Sequence, residues 1–336
     1  MSFVRTVLGD LAPEALDWCG AHEHIVIAPS YATEKFPEFL LDDVEKIVAE
    51  LCAFHDAGGR AMVDSMPCAA GRDVRKLAEV SRRSKIHIVA PTGAHLAKYY
   101  PPRHWSEVLE VNELVDLFVA DIEDGIDALD YSGPVVRRTT HRAGVIKVAG
   151  GQDRLSSREQ KIFIAAAQAQ ARTGCPILTH TEQGTAAEAQ LDSLEANGAD
   201  LAHVVLSHLD RNPDADLHRR LMQRGATLEY DSAFRWKGAD NPTQDLLRQL
   251  MREFPNQIVL GMDAARSRYW RSYGGTPGLD FLPRVFAPQL RQAGLTDAHL
   301  HALFVANPAR VYTFQKPLSP SATQHEQTLE NCRTEF

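Results

Sequence analysis

The sequence has few of the features that mark secreted, membrane-bound or nucleic-acid-binding proteins. Its five cysteines are an odd number and widely scattered, so they predict neither a disulfide framework nor paired CxxC zinc ligands. No apolar run reaches the ~18 residues of a membrane span, and the first twenty residues lack the apolar core of a secretory signal. The formal net charge of −8 predicts no basic surface for nucleic acid. We therefore expect a reduced, cytoplasmic protein that binds neither membrane nor nucleic acid.

The chain instead shows a regular alternation of short apolar segments and longer amphipathic ones. Strands are predicted at 18–27, 60–66, 85–93, 143–150, 175–180, 203–208, 226–231 and 257–263. Helical spacing fills the intervals, at 42–58, 73–83, 106–128, 157–173, 184–197, 214–224 and 242–254. Near-continuous apolar strands between helices indicate a parallel sheet that is covered on both faces.

Eight strand–helix units predict a closed (β/α)8 barrel. A doubly wound sheet is the alternative, but the first strand is not followed by a glycine-rich nucleotide loop. The length of 336 residues suits one large domain. We expect a single barrel over residues 1–315, followed by a polar, aperiodic tail over 316–336.

The stretch GAHEHIVI, residues 20–27, places two histidines in the first predicted strand. Side chains at i and i+2 lie on one face of a strand, so His22 and His24 can both point into the barrel. Taken alone, the pair has two explanations. The histidines are either hydrogen-bonded in the core, or they are ligands of one divalent ion such as zinc.

Polar side chains at the ends of four other predicted strands bear on that choice. Active sites of such barrels form where the carboxyl ends of the strands meet. The residues that coincide there, with His22 and His24, are Lys147, His180, His208 and Asp263. Imidazole and carboxylate groups converging on one mouth favour a metal centre.

Lys147 is unusual because it lies within the apolar segment GVIKVAGG. Lysine is rarely buried without a partner, and an ammonium group beside metal ions would be repelled. Two interpretations remain open. The side chain either extends to solvent at the barrel mouth, or it has reacted with CO2 to form an anionic carbamate that bridges two metals.

The ordered motifs TVLG, AHEH, GVIKVAGG, ILTHTEQG, VLSHLDRN, GMDAAR and YGGTPGLDFL resemble the phosphotriesterase-like branch of the amidohydrolase superfamily. The resemblance runs along nearly the whole chain, from TVLGDLAPEAL to VANPARVY, and implies a binuclear centre. It implies that His22, His24 and Asp263 hold one ion and that His180 and His208 hold the other. Carboxylated Lys147 and a hydroxide would bridge two divalent ions, with Zn²⁺ expected and Mn²⁺ or Co²⁺ as alternatives. It also implies a homodimer.

This centre predicts hydrolysis by hydroxide, since paired divalent ions lower the pKa of bound water. Asp263 is predicted to accept a proton from the hydroxide and to pass it to the leaving group. A serine or cysteine nucleophile is not needed, and neither DSAF (231–234) nor SMPC (65–68) has a nucleophile-elbow pattern.

Substrate choice is expected to depend on the loops after strands 7 and 8, which carry several cations. Arginine and lysine recognise phosphate and carboxylate groups. The spacing of Asp263, Arg266 and Tyr269 resembles that of the phosphosugar lactonases in the family, with Lys237 supplied by the preceding loop. We therefore predict Lys237, Arg266 and Tyr269 as ligands of an anionic group, and His95 and Tyr99 as lining of the pocket.

The leading prediction is hydrolysis of a small-molecule sugar lactone, with or without a phosphate group. A phosphotriesterase or an acyl-homoserine lactonase is the second candidate, and either should show apolar loops. The third belongs to another class: a non-hydrolytic lyase such as a decarboxylase, or a non-catalytic binding barrel. The intact set of candidate ligands argues against the binding barrel.

Overall fold

The computed structural model describes residues 2–236 and 240–315, so Lys237 and the predicted tail over 316–336 lie outside the described residues. The chain begins with an antiparallel hairpin that the sequence reading did not include. Its strands are β1 (Val4–Thr6) and β2 (Gly9–Leu11). The N–H of Val7 donates to the carbonyl of Ile88 at 2.7 Å, which holds the hairpin against the barrel.

Every predicted barrel strand is present, and one of them is divided into two pieces. The strands are β3 (Cys19–Glu23), β4 (Ala61–Asp64), β5 (His87–Val89), β6 (Pro91–Ala94), β7 (Val145–Gly150), β8 (Ile177–Thr181), β9 (Val204–Ser207), β10 (Thr227–Tyr230) and β11 (Ile258–Leu260). β5 and β6 together form the strand predicted over 85–93. The second piece begins at Pro91, which has no N–H to donate to a ladder.

Parallel pairing joins β3 to β5 in one run and β6 to β11, in chain order, in a second run. The ends of the two runs meet, because the N–H groups of Met262 and Asp263 donate to the carbonyl of His22 at 3.2 and 3.0 Å. Gly261 permits this approach, since a Cβ there would lie 2.8 Å from the backbone nitrogen of His22. The molecule is therefore the predicted (β/α)8 barrel and not a doubly wound sheet.

Helices cover the outside of the barrel at all the predicted intervals. They are α1 (Tyr31–Lys35), α2 (Val44–Asp56), α3 (Val74–Ser84), α4 (Trp105–Val108), α5 (Val111–Glu123), α6 (Ser157–Thr173), α7 (Ala187–Ala196), α8 (Ala215–Gln223), α9 (Pro242–Leu250), α10 (Ala287–Gln292), α11 (Asp297–His301) and α12 (Asn307–Val311). α10 and α12 are each preceded by a π-helical turn, at Leu282–Phe286 and Ala302–Ala306. Across the described residues, we find no helix with the length and apolar character needed to cross a membrane.

Side-chain caps explain where several helices begin. The carboxylates of Asp43, Asp73 and Asp214 accept two backbone N–H groups each in the first turns of α2, α3 and α8. Ser156 and Glu159 form a reciprocal capping box at the start of α6. These contacts satisfy N–H groups that have no partner within the helix.

The apolar side chains form two clusters, one on each side of the strands. The larger cluster lies between the strands and the helices, and the smaller one fills the lower lumen of the barrel. Val145 of β7, Val205 of β9 and Val259 of β11 belong to the lumen cluster. Because side chains alternate along a strand, Lys147, Ser207 and Gly261 occupy the next lumen-facing positions above them.

The strand β3 contains an irregularity that reverses this alternation. Gly20 pairs with Met62, and Glu23 pairs with Asp64, so two residues of β3 lie opposite the single residue Val63. Such a bulge inserts one residue and shifts the facing of all later side chains. Cys19 and Ala21 face the lumen below the bulge, and His22 and His24 face the barrel mouth above it. Without the bulge, Glu23 would take their place.

Candidate metal centre

A cavity of about 260 Å³ opens at the carboxyl ends of the strands, where the sequence predicted the site. Five of the six predicted metal ligands line it directly, namely His22, His24, Lys147, His180 and Asp263. The sixth, His208, contacts His180, with 2.8 Å between its Nε2 and Nδ1 of His180. The fold therefore brings all six side chains to one place.

His22, His24 and Asp263 form the first group of donor atoms, which all lie within 4.8 Å of one another. Oδ1 of Asp263 is 3.2 Å from Nε2 of His24 and 3.8 Å from Nε2 of His22. The other ring nitrogen of His22 lies 3.1 Å from Oγ of Ser207 and 3.2 Å from Oε2 of Glu229. These partners orient the ring so that Nε2 faces Asp263.

His180 and His208 form the second group. Nδ1 of His208 bonds to the carboxylate of Asp231, and Nε2 of His180 lies 3.3 Å from Oε2 of Glu182. Burial lowers the pKa of both rings, that of His208 to about 3, so both are neutral at pH 7. If each ring donates its single proton to its carboxylate, two lone pairs face each other across 2.8 Å.

Lys147 is buried, with 1% of its surface exposed, and within the described part of the chain its Nζ has no hydrogen-bond partner. Burial lowers the pKa of this amine to about 8, although nearby carboxylates oppose the shift. A larger fraction of the amine is therefore neutral than in an ordinary lysine. The side chain does not reach solvent, which excludes the interpretation that it extends out of the barrel mouth.

Two acidic residues of β10 and its end complete the floor of the site, and the sequence reading did not single them out. Glu229 and Asp231 have fully buried side chains and approach His22 and His208 respectively. Burial, reinforced by the charge of Asp231, raises the pKa of Glu229 well above its usual value. The signal was present in ATLEYD, where two acids alternate within a strand predicted to be buried.

Two arginines bind the carboxylate of Asp263 from the side opposite the histidines. The guanidinium of Arg211 donates to Oδ2 of Asp263 and to Oδ1 of Asp231, both at 2.7 Å. Arg235 donates to the carbonyl of Asp263 at 2.7 Å and to its Oδ2 at 3.2 Å. Burial alone would raise the pKa of Asp263, but His24 and these two guanidiniums hold it well below its usual value.

The backbone at the barrel mouth is held in unusual conformations. His208 and Asp263 have φ values of 66° and 47°, in the left-handed region that non-glycine residues seldom adopt. Oε1 of Glu23 accepts the N–H of Met262 at 3.0 Å, and the carbonyl of His22 accepts that of Asp263. Such positions cluster at functional sites, where the surrounding contacts maintain the strain.

His95 and Tyr99 lie in the wall of the cavity, as predicted. Nδ1 of His95 accepts the N–H of Leu96 at 2.7 Å, so a neutral ring carries its proton on Nε2. Burial, together with the neighbouring His180, lowers the pKa of His95 well below 6.5 and keeps the ring neutral. The rings of His95 and Tyr99 pack edge to face, 4.4 Å apart.

The predicted anion ligands are not all brought together. Arg266 lines the cavity, with its Nε 3.7 Å from a carboxylate oxygen of Glu38 and its guanidinium 5.0 Å from the Phe39 ring centre. Tyr269 lines a neighbouring cavity of about 590 Å³, next to Arg268 and Arg235. Lys237, the third residue of the prediction, lies outside the described residues.

The side chains present are suited to divalent ions. Nε2 of His208 faces Nδ1 of His180 at 2.8 Å, and Nε2 of both His22 and His24 faces Oδ1 of Asp263. The buried Nζ of Lys147 has no hydrogen-bond partner among the described residues. Neutral imidazole and carboxylate are ligands of zinc and related metals. A (β/α)8 barrel with these groups at its mouth defines the class of metal-dependent barrel hydrolases.

Comparison with known proteins identifies the family. The model of the phosphotriesterase family matches residues 2–312, and the chain belongs to this family. It is therefore a metal-dependent hydrolase with a candidate binuclear site.

Similar proteins include a phospho-furanose lactonase of Mycoplasmopsis agalactiae, which is 33% identical over 94% of this chain and 92% of its own length. The crystal structure of a lactonase from Listeria monocytogenes superposes with a TM-score of 0.86 at 31% identity, covering 94% of this chain and 100% of that one. The phosphotriesterase homology protein from Escherichia coli, solved with phosphate in its active site, gives a TM-score of 0.81 at 29% identity, covering 89% and 99%.

Proposed function

We propose that this chain hydrolyses the lactone of a furanose sugar that carries a phosphate group. The observation that carries the proposal is the position of Arg266, which lines the same cavity as His22, His24 and Asp263. An anionic substituent would bind this guanidinium while the ester group lies against the candidate ligands. The full-length similarity to a phospho-furanose lactonase and to a bacterial lactonase supports the same substrate class.

We further propose which residues would bind the two metal ions. His22, His24 and Asp263 would hold one ion, His180 and His208 the other, and a carbamate on Lys147 would bridge them. Bound divalent ions would lower the pKa of coordinated water and polarise the lactone carbonyl. Zinc suits the donors, and manganese or cobalt are alternatives. A homodimer is also proposed, from the family resemblance.

Asp263 is the proposed proton carrier. Its Oδ1 faces the histidines, whereas its Oδ2 already accepts two guanidinium hydrogen bonds. Oδ1 therefore accepts the proton of the attacking water and releases it to the departing ring oxygen. Because Arg211 and Arg235 stabilise the ionised form, the carboxylate gives the proton up readily.

The cavity walls orient the substrate and limit the access of water. His95 can donate from Nε2 to a substrate oxygen, because its Nδ1 is already an acceptor. Ile27, Phe39 and Met66 form an apolar part of the wall. A neutral phosphotriester or acyl-homoserine lactone would bury the Arg266 guanidinium without an anionic partner beyond Glu38, so the geometry favours neither.

A matched pair of substrates tests this proposal. We expect the wild-type protein to hydrolyse a five-carbon 1,4-lactone 5-phosphate faster than the same lactone without phosphate. Replacing Arg266 by Met should lower kcat/KM for the phosphorylated lactone by about 10- to 150-fold, since hydrogen bonds to charged groups contribute roughly 1.5–3 kcal/mol. Turnover of the neutral lactone should change little.

Arg268→Met is the control, because Arg268 is exposed and lines the neighbouring cavity instead. Equal losses on both lactones would mean that Arg266 supports the loop rather than the substrate. A wild-type preference for the neutral lactone or for a neutral triester would refute the anion site. It would not affect the conclusion that the protein is a metal-dependent hydrolase.

A further inference from the structure

The two oxygens of Asp263 have different partners. Oδ1 faces the ring nitrogens of His24 and His22 at 3.2 and 3.8 Å. Oδ2 accepts hydrogen bonds from Arg211 at 2.7 Å and from Arg235 at 3.2 Å. A free carboxylate can rotate about its Cβ–Cγ bond, but here a partial rotation would break both guanidinium contacts.

Arg211 is itself held in place. The nitrogen that reaches Asp263 also donates to Oδ1 of Asp231 at 2.7 Å, and its Nε lies 3.3 Å from Oγ of Ser232. Asp231 in turn bonds to Nδ1 of His208. One guanidinium nitrogen therefore connects the carboxylate of the first group of donors with the carboxylate that orients a histidine of the second.

Arg235 supports the same arrangement from the β10–α9 loop. It donates to the main-chain carbonyl of Asp263 at 2.7 Å and to that of Asp231 at 2.9 Å. The strained backbone of Asp263, with φ of 47°, is thus fixed at its carbonyl as well as at its N–H. Among the described residues, Oδ2 of Asp263 has no hydrogen-bond partner other than Arg211 and Arg235.

We propose that Arg211, supported by Arg235, is a positioning residue that fixes the orientation of the Asp263 carboxylate, so that one oxygen faces the His22–His24 pair while the other is held by the two guanidiniums. This inference rests on the metal centre of the proposed function and adds the residues that orient its carboxylate ligand. Mutation of residues that hydrogen-bond to a metal ligand typically lowers metal affinity or activity by about 10- to 100-fold.

Charge alone would have the opposite effect on metal binding. A guanidinium beside a site for divalent ions repels them, so its removal should tighten binding if repulsion were its main influence. Positioning predicts weaker binding on removal, because Asp263 could then rotate. The direction of the change in zinc affinity therefore separates the two roles.

The experiment measures zinc affinity of the purified protein by competition with a chromogenic chelator, alongside kcat and KM for a lactone. Arg211→Met should weaken zinc binding by about 10- to 100-fold and lower kcat at saturating zinc, with a smaller change in KM. Arg211→Lys should recover part of both, because a single nitrogen makes both carboxylate contacts in the wild type. Guanidinium ion at low millimolar concentration should partly restore the zinc affinity of Arg211→Ala.

Arg219→Met is the matched control. Arg219 also contacts two carboxylates, those of Asp216 and Glu253, but it does so on the surface of α8. This variant should keep wild-type zinc affinity and kcat. If Arg211→Met does not fold, Arg235→Met applies the same test, with a smaller expected loss because its contact with Oδ2 is longer.

Unchanged or tighter zinc binding in the Arg211 and Arg235 variants, with the wild type binding zinc normally, would overturn the positioning role alone. A loss of thermal stability without a change in zinc affinity or kcat would likewise show a purely structural role. A wild-type protein that binds no zinc, manganese or cobalt would overturn the proposed metal centre and this inference with it.

Discussion

At the scale of single residues, Lys147 shows how burial changes chemistry. Its amine lies among buried groups without a hydrogen-bond partner in the described residues, and its pKa is lowered to about 8. An unpaired ammonium in such a place is costly. A neutral amine is nucleophilic and can react with CO2, which would replace a cation by an anion between the two histidine groups.

We predict that Lys147→Ala loses hydrolytic activity and at least one metal per chain. Lys147→Glu should retain part of both, because glutamate also offers two oxygens. Elemental analysis of both variants, after loading with zinc in bicarbonate buffer, measures the effect. Wild-type metal content and rate in Lys147→Ala would show that the amine has no part in the centre.

Asp263 is a second residue whose replacement should change the reaction rate. Replacing it by Asn removes the group that accepts a proton, and general acid–base contributions are typically ~100- to 10,000-fold. We expect kcat to fall within that range while KM changes little. Metal content must be measured on the same sample, since Asp263 is also a proposed ligand. A fully loaded Asp263→Asn protein with wild-type kcat would contradict the proton-carrier role.

At the scale of secondary-structure elements, the strands position the site through their register. The bulge in β3 turns His22 and His24 toward the mouth and leaves Glu23 to accept the N–H of Met262 in the segment after β11. The same strands must approach closely. Gly93 of β6 pairs with Lys147 of β7, and a Cβ on Gly93 would lie 2.0 Å from the carbonyl oxygen of Lys147.

We predict that Gly93→Ala destabilises the barrel by about 1–3 kcal/mol or more, because rigid backbone cannot repack around the added methyl group. This loss comes in addition to the cost of placing alanine at a positive φ. Gly58→Ala is the matched control. Gly58 has the same φ of +103° but no atom within 4 Å of the added Cβ. Urea unfolding of both variants isolates the contact, and equal losses of unfolding free energy would mean that β6 and β7 can separate freely.

At the scale of the whole molecule, closure of the barrel gathers an unusual number of charged groups in its upper lumen. Glu229 and Asp231 are fully buried, and Asp263 and Arg211 are mostly buried beside them. Buried charges are tolerated only when they are paired. A divalent ion bound among these carboxylates would supply opposite charge, and it would bind only the folded chain. Metal binding should therefore contribute to the stability of the fold as well as to catalysis.

We predict that the protein binds about two divalent ions per chain and that chelation lowers its melting temperature. A ligand present at 100 times its Kd adds about 2.7 kcal/mol to the free energy of unfolding. Calorimetry of metal-free and reloaded protein, with elemental analysis, tests this. Identical melting curves and no stoichiometric metal after reloading with zinc or manganese would refute it.

Much of the fold followed from the sequence because its signals are local. β-branched apolar runs and helical spacing depend on neighbours along the chain, so the alternation predicted all eight barrel strands and the helices between them. The candidate ligands could also be predicted from the sequence, since each is a residue of a metal-binding type at a strand end. Glu229 and Asp231 were missed although the alternating acids in ATLEYD carried a signal.

Only the tertiary structure decided how these residues are arranged. The bulge in β3 depends on pairing with β4, which no local pattern shows. The contacts of Arg211 and Arg235 with Asp263 join residues that lie far apart in sequence. Loop packing likewise places Arg266 and Tyr269 in different cavities although only three positions separate them. Local composition determined the elements and residue types, whereas register and long-range contacts, which depend on several strands at once, determined the site.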